Sequence, residues 1–446
     1  MANKKRFVLV GTGARAVNFI TQFALRFREH VELAALCDLS PTRMAYCNAL
    51  LAGELGYHAV PTYRADQFEQ MLDEQRAEVV IVTTTDGTHD DYIVRALRRG
   101  CDVVTEKPMT VDAAKCRRIF AAVKETGKNV QVAFNVRWAA HRTKIRELIA
   151  SGVVGRVTSV HLEYLLNTSH GADYYRRWHA TMAESGGLLV HKSTHHFDLV
   201  NWWIDAIPEQ VFASGRLDYY GRANAVARGQ EALTKYARYT GEPAAANDPF
   251  ALDLSQHENF RRLYLDAEAE SGYLRDRNVF RDGIDIYDNM SLAVRYRTGV
   301  LLNYSLLSFS SREGFHVAIN GDRGRIEYDE YQPTHVLSDH EGAPPPAAGD
   351  RSLERIRVYP HFAPSYEVEV QRLEGEHDGS DLLLAEQIYS PNPPVDRFGR
   401  KAGYEQGAAS ILIGIAANES IASNRPVAID DLVSLKPGAT RLSELI

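Results

Sequence analysis

"RFVLVGTGARA", residues 6–16, decides the fold. An apolar run from Phe7 to Val10 stops at Gly11-Thr12-Gly13 and continues as Ala14-Arg15-Ala16. The spacing is GxGxxA, which suits a strand turning sharply into a helix. Gly11 permits the tight turn. Gly13 has no Cβ, so a pyrophosphate can approach the backbone. Ala16 is small enough for the helix to pack on the sheet. The first helical amides, at Ala14 and Arg15, then face the phosphates, where the helix dipole favours negative charge. By itself the pattern is weak evidence, because a plain tight turn gives the same letters.

Context strengthens it. An amphipathic helix, "AVNFITQFALRF", follows, and then a strand, "VELAALCD", ending on Asp38. A carboxylate there can accept hydrogen bonds from the adenosine ribose and would repel a 2′-phosphate. That favours NAD as cofactor, while Arg43 one turn later keeps NADP open as the weaker alternative. The alternation continues through "EVVIVTTT", "HDDYIVRALRRG", "DVVTEKP", "VDAAKCRRIFAAVKETG" and "NVQVAFN". Strands alternating with helices at this spacing predict an α/β fold with a doubly wound parallel sheet over residues 1–135. Ligands gather at the carboxyl ends of such strands. Thr84, His89, Glu106, Lys107 and Asn135 lie at or just beyond those ends and join Gly11, Gly13, Ala14, Arg15, Asp38 and Arg43 as candidates.

Composition excludes other classes. The chain has 446 residues, 45% hydrophobic and 24% charged, with net charge −7. A nucleic-acid binder is expected to be basic. No run of 18 apolar residues predicts a membrane span. The apolar run after the basic start ends after four residues, too short for a signal peptide, so a cytoplasmic protein is expected. Cys37, Cys47, Cys101 and Cys116 lack CxxC spacing and read as free thiols.

Residues 136–446 change rhythm and read as a substrate-binding and oligomerisation domain. "RVTSVHLEYLL", "NMSLAVRYRTGVLLNYSLLSF" and "GFHVAINGDRGRIEYDE" predict a large, mainly antiparallel open sheet. "GYEQGAASILIGIAANESIASNR" reads as a core helix. An open sheet has an outer face to cover, so a homodimer or homotetramer is expected. Insertions near 216–282 and 338–365 read as long loops. In "HGADYYRRWHATMAESGG", Tyr174, Arg177 and Trp178 are candidate substrate contacts.

The stretch "GGLLVHKSTHHFDLVNWW", residues 186–203, has helical spacing. His191, His195, Asp198 and Trp202 fall on one stripe, with Lys192 beside it. Two histidines are too few for a metal site, and no third ligand is evident, so no metal is expected. Hydrogen-bonded structural histidines are a second reading. Acid–base work is favoured, since an imidazole titrates near neutrality.

With "GTGARA", "CDLSPTRM", "TTTDGTHDDYIVRAL", "EKP", "VAFNVRW", "SGGLLVHKSTHHFDLVNWW", "INGDRGRIEYD" and "AANESIASNRPVAI" in order, the chain resembles the Gfo/Idh/MocA oxidoreductases over nearly its whole length. The resemblance implies a Rossmann domain followed by an α/β domain with a large open sheet. It implies that Lys107 is the active-site lysine, followed by a peptide bond that can be cis. Family members commonly carry Asp-x-x-x-His, with the histidine as general base. His195 matches that histidine, but His191 stands where the aspartate would be, a departure that leaves its role between substrate contact and second proton carrier. Lys192 follows the pattern. The implied activity is NAD-dependent oxidation of a sugar, glycoside or polyol. The alternative is an NAD-dependent glycoside hydrolase working by transient oxidation, elimination, water addition and re-reduction.

Overall fold

The computed structural model describes residues 4–332, 352–370 and 379–445. Strands β1 (Lys5–Val10), β2 (Val31–Asp38), β3 (Thr62–Arg64), β4 (Val79–Val82), β5 (Asp102–Thr105) and β6 (Val130–Val132) form a parallel sheet ordered β6-β5-β4-β1-β2-β3. Alternate residues of one strand feed separate cores. Val8 and Val10 join one apolar cluster, while Phe7 and Leu9 join another. A strand buried on both faces explains the unbroken apolar run seen in the sequence. Strand β3 has three residues, too few to show a period.

The order reverses between β1 and β4, the crevice where ligands bind in open α/β sheets. Gly11 sits there with φ +92°, and a Cβ on it would lie 2.6 Å from the backbone of Thr83. Only glycine fits that turn.

The second sheet contains β7 (Val157–Asn167), β8 (Pro208–Arg216), β9 (Asn289–Tyr296), β10 (Leu301–Ser310), β11 (Gly314–Gly321), β12 (Gly324–Tyr331), β13 (Leu353–Pro360) and β14 (Tyr366–Val368). They run β14-β13-β12-β11-β7-β10-β9-β8, antiparallel except for β7 beside β10. Strand β9 alternates exposed and buried residues along its length, so one face packs and the other meets solvent. The helix Tyr404–Ser423 covers the packed face, with Gly407 to Ala417 buried throughout.

Two expectations are corrected. Of the loop placed at 338–365, residues 338–351 lie outside the described residues, but Leu353–Pro360 is strand β13, paired with β12 along eight residues. Its charged side chains hid the alternation. The histidine segment is not one helix: Leu188–His191 and Thr194–Ile204 are separated by a turn at Lys192-Ser193. The later chain also packs back onto the first sheet. The helix Ser380–Tyr389 returns to the first sheet, with Tyr389 packed against Phe7, Phe23 and Phe27, and β15 (Ala402–Gly403) pairs antiparallel with β6.

The insertion between β8 and β9 holds short helices and turns, including Arg222–Ala227, Glu258–Leu263 and Glu268–Ser271. Buried Arg176 anchors it by donating from Nε and Nη2 to the carbonyl of Phe250. It reaches across to the first sheet, where Leu252, Leu254, Leu263 and Tyr264 pack with Val17 and Tyr46. Among the described residues, no helix is long and apolar enough to cross a membrane.

Candidate active site

The cleft at the switch point has the features a dinucleotide needs. A Cβ built on Gly13 meets nothing within 4 Å, so the turn itself is open to approach, while the next amide, Ala14 N, donates to Tyr264 Oη of the insertion at 3.3 Å, a bond a phosphate would replace. Asp38 is buried and accepts from Thr12 N, Thr12 Oγ1 and Ser40 N at 2.5, 2.9 and 2.8 Å. Those bonds hold a carboxylate beside the glycine turn, where ribose hydroxyls would meet it. These residues fit the group.

Other candidates at the strand ends are engaged with one another. Arg15 donates from Nε to Glu106 Oε1 at 2.5 Å and from Nη2 to Asp381 Oδ1 at 3.2 Å. Asn135 Nδ2 donates to the same Asp381 oxygen at 2.9 Å. His89 is buried, its ring nitrogens against the carbonyls of Pro108 and Thr84 at 2.8 and 3.2 Å. It braces the loop on which Thr84 sits. Arg43 donates from Nε to Leu263 O and from Nη2 to Ser271 Oγ of the insertion, with Nη1 4.0 Å from Asp38 Oδ1.

Lys107 follows β5, and the Lys107–Pro108 peptide is cis. Its Nζ reaches the second domain and donates to the carbonyl of His191 at 3.3 Å. Burial pulls the ammonium below its ordinary pKa, against the opposing charges of Asp86 and Glu106. His191 is buried and its Nδ1 lies 2.5 Å from Asp86 Oδ2. Burial raises the Asp86 pKa and lowers that of His191. Opposite shifts across one hydrogen bond describe a pair that prefers to be neutral, sharing one proton.

His195 starts the following helix. Its Nδ1 is buried without a hydrogen-bond partner among the described residues. Burial first, then the positive charges of Lys107 and Lys192, hold its pKa well below the ordinary value, so the ring is neutral and can accept a proton. Lys192 lies 5.1 Å from the centroid of the Tyr164 ring, and burial brings its pKa down to about 8. Tyr174, Trp178 and His179 cluster around His191, with ring centroids at 5.6, 5.8 and 4.1 Å. Arg177 pairs with Asp173 at 3.1 Å, and its charge also bears on Asp86 and Lys107.

The rest of the histidine stripe is structural. Asp198 forms a buried two-pronged pair with Arg137, at 2.7 and 2.6 Å. Trp202 donates to Phe398 O, and His196 Nδ1 meets Tyr304 Oη. Asp86 was missed from sequence, although an acidic residue just past β4 was signal enough to raise it. Among the described residues, no group of three or more His, Cys, Asp or Glu could hold a metal ion.

Residues 5–134 match the NAD-binding Rossmann fold of the oxidoreductase family, and residues 146–429 match that family's C-terminal alpha/beta domain. The chain belongs to the Gfo/Idh/MocA oxidoreductases. This oxidoreductase is 36% identical over 446 residues to YteT of Bacillus subtilis, named as an oxidoreductase, covering 97% of this chain and 99% of YteT. An inositol 2-dehydrogenase of Rhizobium meliloti is 26% identical over 209 residues, covering 47% of this chain and 58% of that enzyme. The same fold is seen in the WlbA dehydrogenase of Bordetella pertussis, solved with NADH and UDP-GlcNAcA. That structure has TM-score 0.60 at 17% identity, covering 96% of this chain and 99% of WlbA.

Proposed function

We propose that this oxidoreductase is an NAD-dependent dehydrogenase acting on a hydroxyl-bearing carbon of a sugar, glycoside or polyol. The observation that carries the reading is the approach of Lys107, from the first sheet, to the His191–His195 turn of the second domain. That bond brings the Lys107 ammonium to the backbone of the segment that carries His191 and His195.

Bound NAD would supply the hydride acceptor. Lys107 holds the substrate hydroxyl oxygen and stabilises the negative charge that develops on it. His195, neutral through burial, takes the hydroxyl proton on its imidazole ring. The Asp86–His191 pair can relay that proton, which gives His191 the second-carrier role. Tyr174, Trp178 and Arg177 offer an aromatic and hydrogen-bonding wall for a polyhydroxylated ring. The inositol 2-dehydrogenase among the relatives supports a polyol or sugar substrate. The comparisons lend no support to the glycoside hydrolase.

The test is a panel of sugars, glycosides and polyols with NAD, following reduced cofactor. Lys107→Met and His195→Asn are each expected to lose about a thousandfold in turnover, within the usual range for acid–base groups. Both variants should still bind NAD. Wild-type turnover in both would overturn the assignment. Release of aglycone from an aryl glycoside without net reduced cofactor would replace it with the hydrolase.

A further inference from the structure

The insertion places a carboxylate where the first sheet would otherwise receive a phosphate. Ser40 lies two residues after Asp38 and caps the helix Pro41–Ala49. A phosphate on the 2′ position of a ribose held at Asp38 would fall on this helix start. The donors suited to it are the Ser40 hydroxyl, the Thr42 amide and hydroxyl, and the Arg43 guanidinium.

The insertion engages all of these groups, though Arg43 Nη1 is left 4.0 Å from Asp38 Oδ1. Thr42 N and Oγ1 donate to Glu270 at 3.2 and 2.6 Å, and Ser40 Oγ donates to the same carboxylate. Arg43 donates to Leu263 O and Ser271 Oγ at 3.0 and 3.2 Å. Nearby, Tyr264 Oη accepts from Ala14 N at 3.3 Å. Glu270 thus stands in for an anion at a site built to receive one. It lies some 230 residues along the chain from the loop it fills.

We infer that Glu270 is a specificity-determining residue: its carboxylate occupies the seat of a 2′-phosphate and directs the cleft to NAD rather than NADP. The inference rests on the dinucleotide reading of the first sheet. Asp38 remains the ribose acceptor, and Glu270 adds a second negative charge that a 2′-phosphate would have to displace. Arg43, the group that suggested NADP from sequence, has Nε and Nη2 held by Leu263 and Ser271 and Nη1 4.0 Å from Asp38, so it is drawn away from a 2′-phosphate.

The experiment is calorimetric titration of the full chain with NAD, NADP and 2′,5′-ADP, for wild type, Glu270→Gln and Glu270→Ala. Glu270→Gln keeps the shape and removes the charge, and Glu270→Ala empties the seat. Wild type should bind NADP and 2′,5′-ADP weakly. Both variants should gain about tenfold or more for these two ligands, because a like-charge contact is removed. Affinity for NAD should change by less than about threefold, since Asp38 is untouched. Retained NAD binding without the gain overturns the role of Glu270 and leaves the dinucleotide reading standing. Parallel loss of NAD and NADP in both variants also overturns it, by making Glu270 only a clasp for the insertion. Absence of any dinucleotide binding in wild type overturns both readings.

Discussion

At the residue scale, the site works by displacing ordinary pKa values in opposite directions. His195 is neutral because charging it would bury a cation beside Lys107 and Lys192. A base with a lowered pKa stays competent in mild acid. The rate of alcohol oxidation should therefore hold its plateau below pH 6.5, the ordinary histidine value. An acid limb at or above that value would show that the ring is not desolvated. Lys192 gives a second readout at the alkaline end. Its pKa is brought to about 8, by burial before Lys107, with Glu313 pulling the other way. If its ammonium binds substrate, KM should rise above pH 8 with kcat little changed. Lys192→Arg should move that rise to higher pH, and Lys192→Met should leave KM high and flat. The position of Asp86 just past β4 was legible, but its pairing with His191 was not, because the two are 105 residues apart. From sequence, His191 is a departure whose role stays between substrate contact and second proton carrier. The carboxylate that the family pattern puts on its helix is supplied here from beyond β4 instead.

At the element scale, the turn at Gly11 is the most constrained piece of backbone in the first sheet. A methyl group there would overlap Thr83 and Thr84 at 2.6 Å, on a residue with φ +92°. Gly11→Ala should cost at least about 1 kcal/mol from the backbone conformation alone, and more from the overlap. It should also abolish dinucleotide binding, which titration would show. Gly13→Ala meets no such overlap, so its folding loss should be small while its binding loss remains. Strands β1, β2, β4, β5 and β6 were legible because burial on both faces leaves an unbroken apolar run. The hairpins β9–β10 and β11–β12 were legible from their turns. Strand β13 was not, because Glu354, Arg355 and Arg357 mask its period. The break at Lys192-Ser193 was not legible either, because helical spacing survives one irregular turn. The insertion could be recognised as unusual, but not as an arm across the nucleotide cleft. Its contacts with Ser40, Thr42 and Arg43 depend on tertiary placement that no local pattern carries.

At the scale of the whole molecule, two properties follow from what is buried and what is not. The outer face of the second sheet carries exposed Phe212 aligned with Ala293, Asn303 and His161 in one row, and the small or polar Ser214, Ser291, Ser305, Glu163 and His316 in the next. Such a face lets a second sheet approach closely, and we propose that two copies pair through it. Light scattering should give a dimer or larger, and Phe212→Glu should shift it towards monomer. The buried histidines set the second property. His179, His195 and His196 all have pKa values held well below 6.5, with desolvation as the first cause and neighbouring Lys or Arg charges adding to it. In the unfolded chain they would titrate near 6.5, so below that pH the unfolded state binds more protons than the folded one. Their stabilisation is present above 6.5 and is lost as pH falls, by up to about 1.4 kcal/mol per pH unit for each histidine. The raised pKa of Asp86 acts in the opposite sense and offsets His191, while His89, whose pKa burial also lowers, adds to the slope of those three histidines. The thermal midpoint should therefore drop by several degrees between about pH 7.5 and about pH 5.5. His196→Gln, away from the proposed proton path, should flatten the curve without changing the pH profile of turnover. A midpoint that does not move across this range would mean that the histidines are charged inside the fold, and the neutral base proposed at His195 would fall with it.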